Sequence, residues 1–380
     1  MKRFIPLAGL CLAVFLIMTG MGMAVVALPS KFLASSGTLR SSGWLASCFA
    51  LSYMLCQYPA GRLADRFGYR EVLACGCLLM AIAAALMGFA ETTGALYLGR
   101  FLQGAGEAPV WASAPALLAR LYPGMKGRVM GMYNASFHLG LMLGPVMVAG
   151  HLVDDLRTPF LAFSGLCLVA MILVLLSLRN TSFRPVEKQP RTRLLVRPGS
   201  MPVFCSVPVF GAIYGLLVSC FPVYLTTDAG FSPERLGLYY VSAYAGIAAS
   251  QLASGALSDR YGRVRFMVGG LALLGCALIF SVLPPFTHVT LAVAAIGLGA
   301  GSFATASMAF LSETCDDDRK ATVSGYYYLA WGSGYFAGPL LVDHFGVAAG
   351  SRALALCSLA MALLIAWRTW PLARPTQAAG

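Results

Sequence analysis

"GRLADRFGYR" (61–70) and "GALSDRYGRVR" (255–265) are two charged islands in a chain of 380 residues, of which only 11% are charged. The rest is apolar. Hydrophobic residues make up 58% of the chain and its mean hydropathy is +0.75, far outside the range of a soluble domain. Gly61, Asp65, Arg66 and Gly68 of the first island find Gly255, Asp259, Arg260 and Gly262 in the second, each 194 residues on and so close to half the chain. The two islands therefore mark an internal repeat.

A helix crossing a hydrocarbon core of about 30 Å needs about 20 mainly apolar residues. Twelve runs of that size lie between charged or Pro/Gly-rich breaks: 4–28, 44–63, 70–90, 94–119, 129–152, 158–179, 201–225, 235–257, 265–284, 289–312, 321–343 and 350–370. Gly131, Gly140, Gly144 and Pro145 in the fifth run recur as Gly325, Gly334, Gly338 and Pro339 in the eleventh, again 194 apart. The pattern predicts an all-α integral membrane protein: twelve transmembrane helices in two pseudo-symmetric six-helix bundles, 1–179 and 201–380. The basic, proline-containing stretch 180–200 reads as a cytoplasmic linker. The islands fall in matching short loops, one between spans two and three, the other between spans eight and nine.

The first span could be a signal peptide, since Lys2 and Arg3 precede it, but the eleven spans behind it favour a transmembrane helix. Orientation follows from the basic residues. On the N-terminal side of the membrane lie 21 of the 27 Lys and Arg; Lys31, Arg40, Arg157, Arg235 and Arg352 lie opposite, and Arg100 is inside a span. This positive-inside bias places both termini in the cytoplasm, and the membrane is expected to be a bacterial inner membrane. It also accounts for most of the +12 net charge, so no nucleic-acid partner is needed. Of the eleven cysteines, all but Cys315 sit within the spans and no pair has zinc-ligand spacing, so no disulfide, metal or cofactor is expected.

The loop motif has a physical reading of its own. Gly68 lets a very short connection turn sharply, while Asp65 can accept hydrogen bonds from the next loop residues or from an exposed helix N-terminus. Twelve spans in two halves, with G-x-x-x-D-R-x-G-x-R between the second and third, resemble the major facilitator superfamily. "GRFLQGAGEA" (99–108) resembles its fourth-helix pattern, and "GMYNASFHLGLMLGP" (131–145) the fifth-helix pattern of its drug and metabolite antiporters. Tyr69 stands where that family usually has a basic residue, Val264 separates Arg263 from Arg265, and Val148 and Ala149 replace a closing pair of glycines. The resemblance implies that Gly61, Asp65, Arg66, Gly68 and Arg70, with Asp259, Arg260 and Gly262, form a cytoplasmic latch made and broken during alternating access. The alternative is that they only set topology and turn geometry. Gly140, Gly144 and Pro145, with Gly334, Gly338 and Pro339, are expected to allow close packing and bends in the fifth and eleventh helices.

Charges inside the membrane are costly, which makes them functional candidates. Glu107 is the one acidic residue deep in a span. Helical spacing puts Arg100, Gln103, Glu107 and Trp111 on one face of the fourth helix, which lines the central cavity in the resembled fold. At offset 194 their counterparts are Ala294 and Gly301, so these charges belong to one half only. Glu107 is the candidate proton carrier and Arg100 a cavity residue, although the two could simply neutralise each other. His138, with Asn134 one turn away in the fifth helix, is the candidate third group, or else a histidine hydrogen-bonded between helices. His151, His288 and His344 sit at outer helix ends, and Asp316, Asp317 and Asp318 read as charges favourable to a helix dipole. Tyr240 and Tyr244, and Tyr328, Trp331 and Tyr335, form stripes that either pack or line a cavity for a partly apolar solute.

No phosphate-binding loop, nucleophile–base constellation or metal-ligand cluster is read in the spans, which disfavours a pump driven by ATP and a membrane enzyme. The expected function is secondary transport of a small, partly apolar organic solute by alternating access, coupled to protons. The helix-five glycine-proline pattern points to export; the Arg-x6-Glu spacing also resembles organic-anion symporters, so uptake and a transporter-like sensor stay open. The expected partners are a small solute, the proton and the lipid bilayer, with the chain acting as a monomer.

Overall fold

The computed structural model describes residues 4–36, 43–148, 155–179, 181, 200–227, 230, 233–281, 286–315 and 319–369. Among these the chain forms twelve long helices and no strand. The first six are α1 (Ile5–Ser36), α2 (Gly43–Phe67), α3 (Tyr69–Phe89), α4 (Thr93–Leu121), α5 (Lys126–Val148) and α6 (Thr158–Ser177). Helix α7 starts as Met201–Gly215, passes through a π turn at Leu216–Cys220 and continues as Phe221–Thr227. Then follow α8 (Pro233–Tyr261), α9 (Arg263–Phe280), α10 (Phe286–Thr314), α11 (Lys320–Phe345) and α12 (Val347–Thr369). The linker expected over 180–200 lies outside the described residues except for Thr181 and Ser200, as do His151 and Asp316, Asp317 and Asp318.

Each of the twelve apolar runs falls on one of these helices within the described residues. Seven of them, α1, α3, α6, α7, α9, α10 and α12, hold a stretch long and apolar enough to cross a bilayer on composition alone. The other five carry the loop motifs, the polar stripe and the glycine-proline pairs. Polar side chains and bare backbone survive at membrane depth where protein covers them. Arg100, Gln103, Glu107, Asn134, His138 and Gln251 are accordingly all buried.

Contacts divide the chain into two compact units. The first holds residues 1–121, 136–190 and 316–329; the second holds 122–135, 191–315 and 330–380. The start of α11 thus belongs with the first unit and the start of α5 with the second. Helix pairing repeats between them: α2–α4, α3–α4, α3–α6 and α1–α6 in the first unit match α8–α10, α9–α10, α9–α12 and α7–α12 in the second. Helix α1 runs past its expected end at residue 28. Lys31, expected in an outer loop, is helical and buried, and its Nζ donates to the Gly88 carbonyl at 2.9 Å. That carbonyl lies in the last turn of α3, where the helix dipole favours a cation.

Bare backbone lets helices touch at the glycine positions. In the first unit a Cβ on Gly140 would come within 2.5 Å of the Phe15 carbonyl, and one on Gly144 would fall on the Thr19 carbonyl and 2.8 Å from Gly22 Cα. In the second unit Gly334 meets Pro208, and a Cβ on Gly338 would lie 2.7 Å from Ala212 Cα. Helix α1 therefore seats on α5, and α7 on α11, with no side chain between. Both α5 and α11 stay helical through Pro145 and Pro339. Gly144→Leu is expected to cost about 1–3 kcal/mol or more, as overpacking does. Gly165→Leu, at a glycine with nothing within 4 Å, serves as control. Equal melting temperatures for the two variants in lipid nanodiscs would contradict this packing.

Candidate functional site

The two islands fold into the same device. At the end of α2, Asp65 Oδ2 accepts hydrogen bonds from the Thr322 backbone N–H and hydroxyl, both at 2.8 Å, while Oδ1 accepts the Ala321 N–H at 3.3 Å. These N–H groups belong to the first turn of α11 and have no intrahelical acceptor. At the end of α8, Asp259 accepts the Gly127 N–H at 2.9 Å and the Arg128 N–H at 2.8 Å in the first turn of α5. Residues 321 and 322 lie 194 beyond 127 and 128, so the clasps are repeats of one another.

Glycines make room for both. A Cβ on Gly61 would fall on the Ala321 carbonyl, and one on Gly325 would come within 2.5 Å of the Gln57 carbonyl; Gly255 and Gly131 stand in the same relation to Gly127 and Gln251. Gly68 and Gly262 hold φ of 109° and 93°, a region L side chains avoid, and so end α2 and α8 abruptly. Burial pushes the Asp65 carboxyl above the ordinary carboxylate range, and the hydrogen bonds from Thr322, Tyr69 and Ala321 pull it back.

Of the motif's arginines, Arg66, Arg70 and Arg260 do not join the clasps, whereas Arg263 pairs with Asp259. Arg66 lies over the Phe67 ring and Arg260 over Tyr261, both exposed, and Arg70 reaches the Leu175 carbonyl and Glu71. The acids and glycines carry the contact, with the neighbouring Arg66 and Arg260 left on the surface.

The fourth-helix stripe forms as its spacing predicts. Arg100 Nη1 donates to Gln103 Oε1 at 2.7 Å, its Nε donates to the Leu45 carbonyl at 3.3 Å, and its guanidinium lies 4.6 Å from the Phe49 ring centre. Trp111 Nε1 donates to Glu107 Oε1 at 2.9 Å. Arg100 and Glu107 form no direct ion pair among the described residues. Gln103 Nε2 and Glu107 Oε2 are buried without a hydrogen-bond partner among the described residues. Such groups are costly to bury, at about 1–3 kcal/mol each.

Aromatic rings surround the acid. Trp111 packs edge-on to Phe137 at 4.6 Å and against Tyr328 at 4.9 Å, its carbonyl accepts the Ser324 hydroxyl at 2.9 Å, and Phe137 meets His138 at 4.6 Å. The expected stripe on α11 divides: Tyr328 belongs to the first unit, while Trp331 and Tyr335 stack in the second, 5.6 and 6.3 Å from Tyr214. There the hydroxyls of Tyr214 and Tyr244 are hydrogen-bonded to each other, and Tyr244 stacks on Tyr240 at 6.2 Å. Asn134 is buried in the second unit. His288 and His344 are exposed at helix ends.

Sequence reading did not single out Phe137, Tyr214, Arg120, Glu313 or the π turn. Tyr214 lies one turn beyond Phe210 and could have been found as an aromatic pair; the π turn leaves no such signal. Its carbonyls at Leu217 and Val218 accept the hydroxyls of Tyr239 at 2.6 Å and Tyr240 at 3.4 Å. π turns often mark functional positions.

A profile for the Major Facilitator Superfamily matches residues 10–224 and 203–380. Among curated relatives, the chain is 28% identical over 192 residues to "Multidrug resistance protein 1" of Bacillus subtilis (strain 168), a match covering 50% of this chain and about half (49%) of that protein's length. It is 26% identical over 354 residues to "Tetracycline resistance protein, class C" of Escherichia coli, covering 87% of each. The solved structure of FucP, a transporter in the outward conformation, superposes with a TM-score of 0.80 at 15% identity, over 97% of this chain and 99% of that one.

Tyr239→Phe is expected to cost about 1 kcal/mol by removing the hydrogen bond to the π-turn carbonyl, and Tyr240→Phe less because its bond is long. Thermal melts of the two variants check the order; a Tyr240→Phe variant less stable than Tyr239→Phe would reverse it.

Proposed function

The chain belongs to the major facilitator superfamily and is a multi-pass membrane transporter, and on that premise we propose that it exports a small, partly apolar organic solute in exchange for protons. One observation carries the coupling: Glu107 is buried beside Trp111 with one carboxylate oxygen unpaired. A carboxyl so placed takes up or gives away a proton as its surroundings change, and intramembrane acids of this kind mark proton pathways. Arg100 is held by Gln103, the Leu45 carbonyl and Phe49, which weighs against its serving as the anchor of an organic anion.

The aromatic groups around Trp111 and around Tyr214 supply apolar faces with a few hydroxyls, chemistry suited to a ring-containing drug-like solute. Relatives that confer multidrug and tetracycline resistance make export the favoured direction. In this reading residues 1–179 and 201–380 are the two bundles of a monomer in the bacterial inner membrane, with cytoplasmic termini, and 180–200 joins them. Asp65 and Asp259 act as cytoplasmic clasps that form and break once per cycle.

With tetracycline and a lipophilic cation as probes in proteoliposomes, Glu107→Gln is expected to abolish uptake driven by a pH gradient while sparing binding or probe–probe exchange. Loss of folding and of all modes together would make Glu107 structural, and undiminished pH-driven accumulation would move the proton to His138. Asp65→Asn removes a charged acceptor worth about 1.5–3 kcal/mol per hydrogen bond. It is expected to insert normally and slow transport tenfold or more; near wild-type turnover would remove the clasp from the cycle.

A further inference from the structure

Positions 69 and 263 are the same place in the two repeats, 194 residues apart, and they carry different chemistry. In the second unit Arg263 pairs with Asp259 and, at 2.9 Å, with Glu313 Oε1 of α10, while its Nη1 donates to Ser258 Oγ at 2.7 Å. The carboxylate that caps α5 thus shares a guanidinium with a second acid. In the first unit Tyr69 takes that place. It is 1% exposed, its hydroxyl donates to Asp65 Oδ1 at 2.9 Å, and the hydroxyl accepts in turn from the guanidinium of Arg120 near the end of α4, 5.7 Å from the ring centre.

Among the described residues Asp65 forms no ion pair. Arg62, Arg66 and Arg70 are turned to Tyr58, Phe67 and the Leu175 carbonyl. A guanidinium is still supplied, but from α4 instead of α3, and through a neutral hydroxyl. The counterpart of Arg120 in the second repeat is Thr314, so the exchange is reciprocal. A phenol that accepts from a cation is polarised into a stronger donor.

We propose that Tyr69 is a positioning residue that relays Arg120 to Asp65, holding the carboxylate on the α11 N-terminus without a salt bridge. The first clasp then opens by giving up hydrogen bonds alone. The second holds its acid by an ion pair between α8 and α9 that stays in place when α5 leaves, and what it gives up is likewise the two hydrogen bonds from α5. The two clasps therefore do the same work with different support, a neutral relay behind Asp65 and an ion pair behind Asp259. This rests on Asp65 being a clasp of the transport cycle, and the test below reads the relay independently of transport.

Hydrogen exchange of the full chain in lipid nanodiscs reads peptides covering 319–325 and 126–131. Tyr69→Phe is expected to speed exchange at the Ala321 and Thr322 amides about tenfold, the effect of losing one hydrogen bond to a charged group, and to leave Gly127 and Arg128 unchanged. Arg120→Gln should do the same in the wild-type background and add nothing in Tyr69→Phe, since both act along one path. Tyr69→Arg with Arg120→Thr, which copies the second repeat, should restore protection. Unchanged exchange in Tyr69→Phe overturns the relay, as does an Arg120→Gln effect that persists undiminished in the Tyr69→Phe background. The 126–131 peptide is the standard for folding, and if Tyr69→Phe fails it, Arg120→Gln alone decides by the same criterion. Faster exchange with normal transport keeps the relay and discards the clasp's part in the cycle.

Discussion

The first N–H groups of a helix have no partner within it, and in this protein two such helix starts are satisfied by carboxylates from distant helices. Asp65 caps α11 and Asp259 caps α5. Much else follows from this constraint. The capping helices must end at once, which Gly68 and Gly262 allow. They must also lie backbone to backbone with the capped ones, which requires Gly61 and Gly325 on one side and Gly255 and Gly131 on the other. Four-residue spacing keeps 57, 61 and 65 on one face of α2, so one shift along that face would misplace every contact. The charged islands exist because a helix start is an electropositive target, and an acid at the membrane edge is the simplest group to meet it.

Much of this was legible in the sequence because it rests on periodicity. The twelve runs follow from hydropathy, the pairing of halves from the offset of 194, and the stripe Arg100, Gln103, Glu107, Trp111 from the helical turn. The donors to Asp65 were legible only as a type, an exposed helix N-terminus; that they are Ala321 and Thr322 depends on a contact 256 residues away in the chain. Arg66 and Arg260 resemble clasp residues by motif yet point to their neighbouring rings. Charge in a motif says that a side chain reaches water or a partner, and the local rotamer decides which. The π turn was illegible for another reason: one extra residue in a helical turn changes hydrogen-bond register without changing apolar period.

The helices that fall short of a purely apolar span are informative for the same reason. Helices α2, α4, α5, α8 and α11 dilute their hydropathy with glycine, proline, amides and charges, and among these Gln57, Arg100, Gln103, Glu107, Asn134 and Gln251 are buried against protein. Lipid-facing helices need only be apolar all round. A helix that packs closely on both neighbours gives up side-chain volume, and one that holds a charged or amide group needs cover for it. Low hydropathy within a membrane chain thus locates its working parts.

The two repeats use the same scaffold to different ends. Where α4 holds Glu107, the matching position of α10 is Gly301, whose added Cβ would fall on Ser250 Oγ and the Ile247 carbonyl, so α8 and α10 close tightly there. The first unit keeps an acid at that point instead, and it also holds unpaired amide and carboxylate atoms on Gln57, Gln103 and Glu107. The unpaired hydroxyls of the second unit include Ser254, Thr305 and Ser351, which can turn toward a carbonyl of their own helix. An amide or carboxylate has no such escape. A repeat that began with equal halves would gain nothing by leaving such groups buried unless something transient meets them, and this asymmetry, more than any single residue, favours the proposed placing of the proton chemistry on the side of α4.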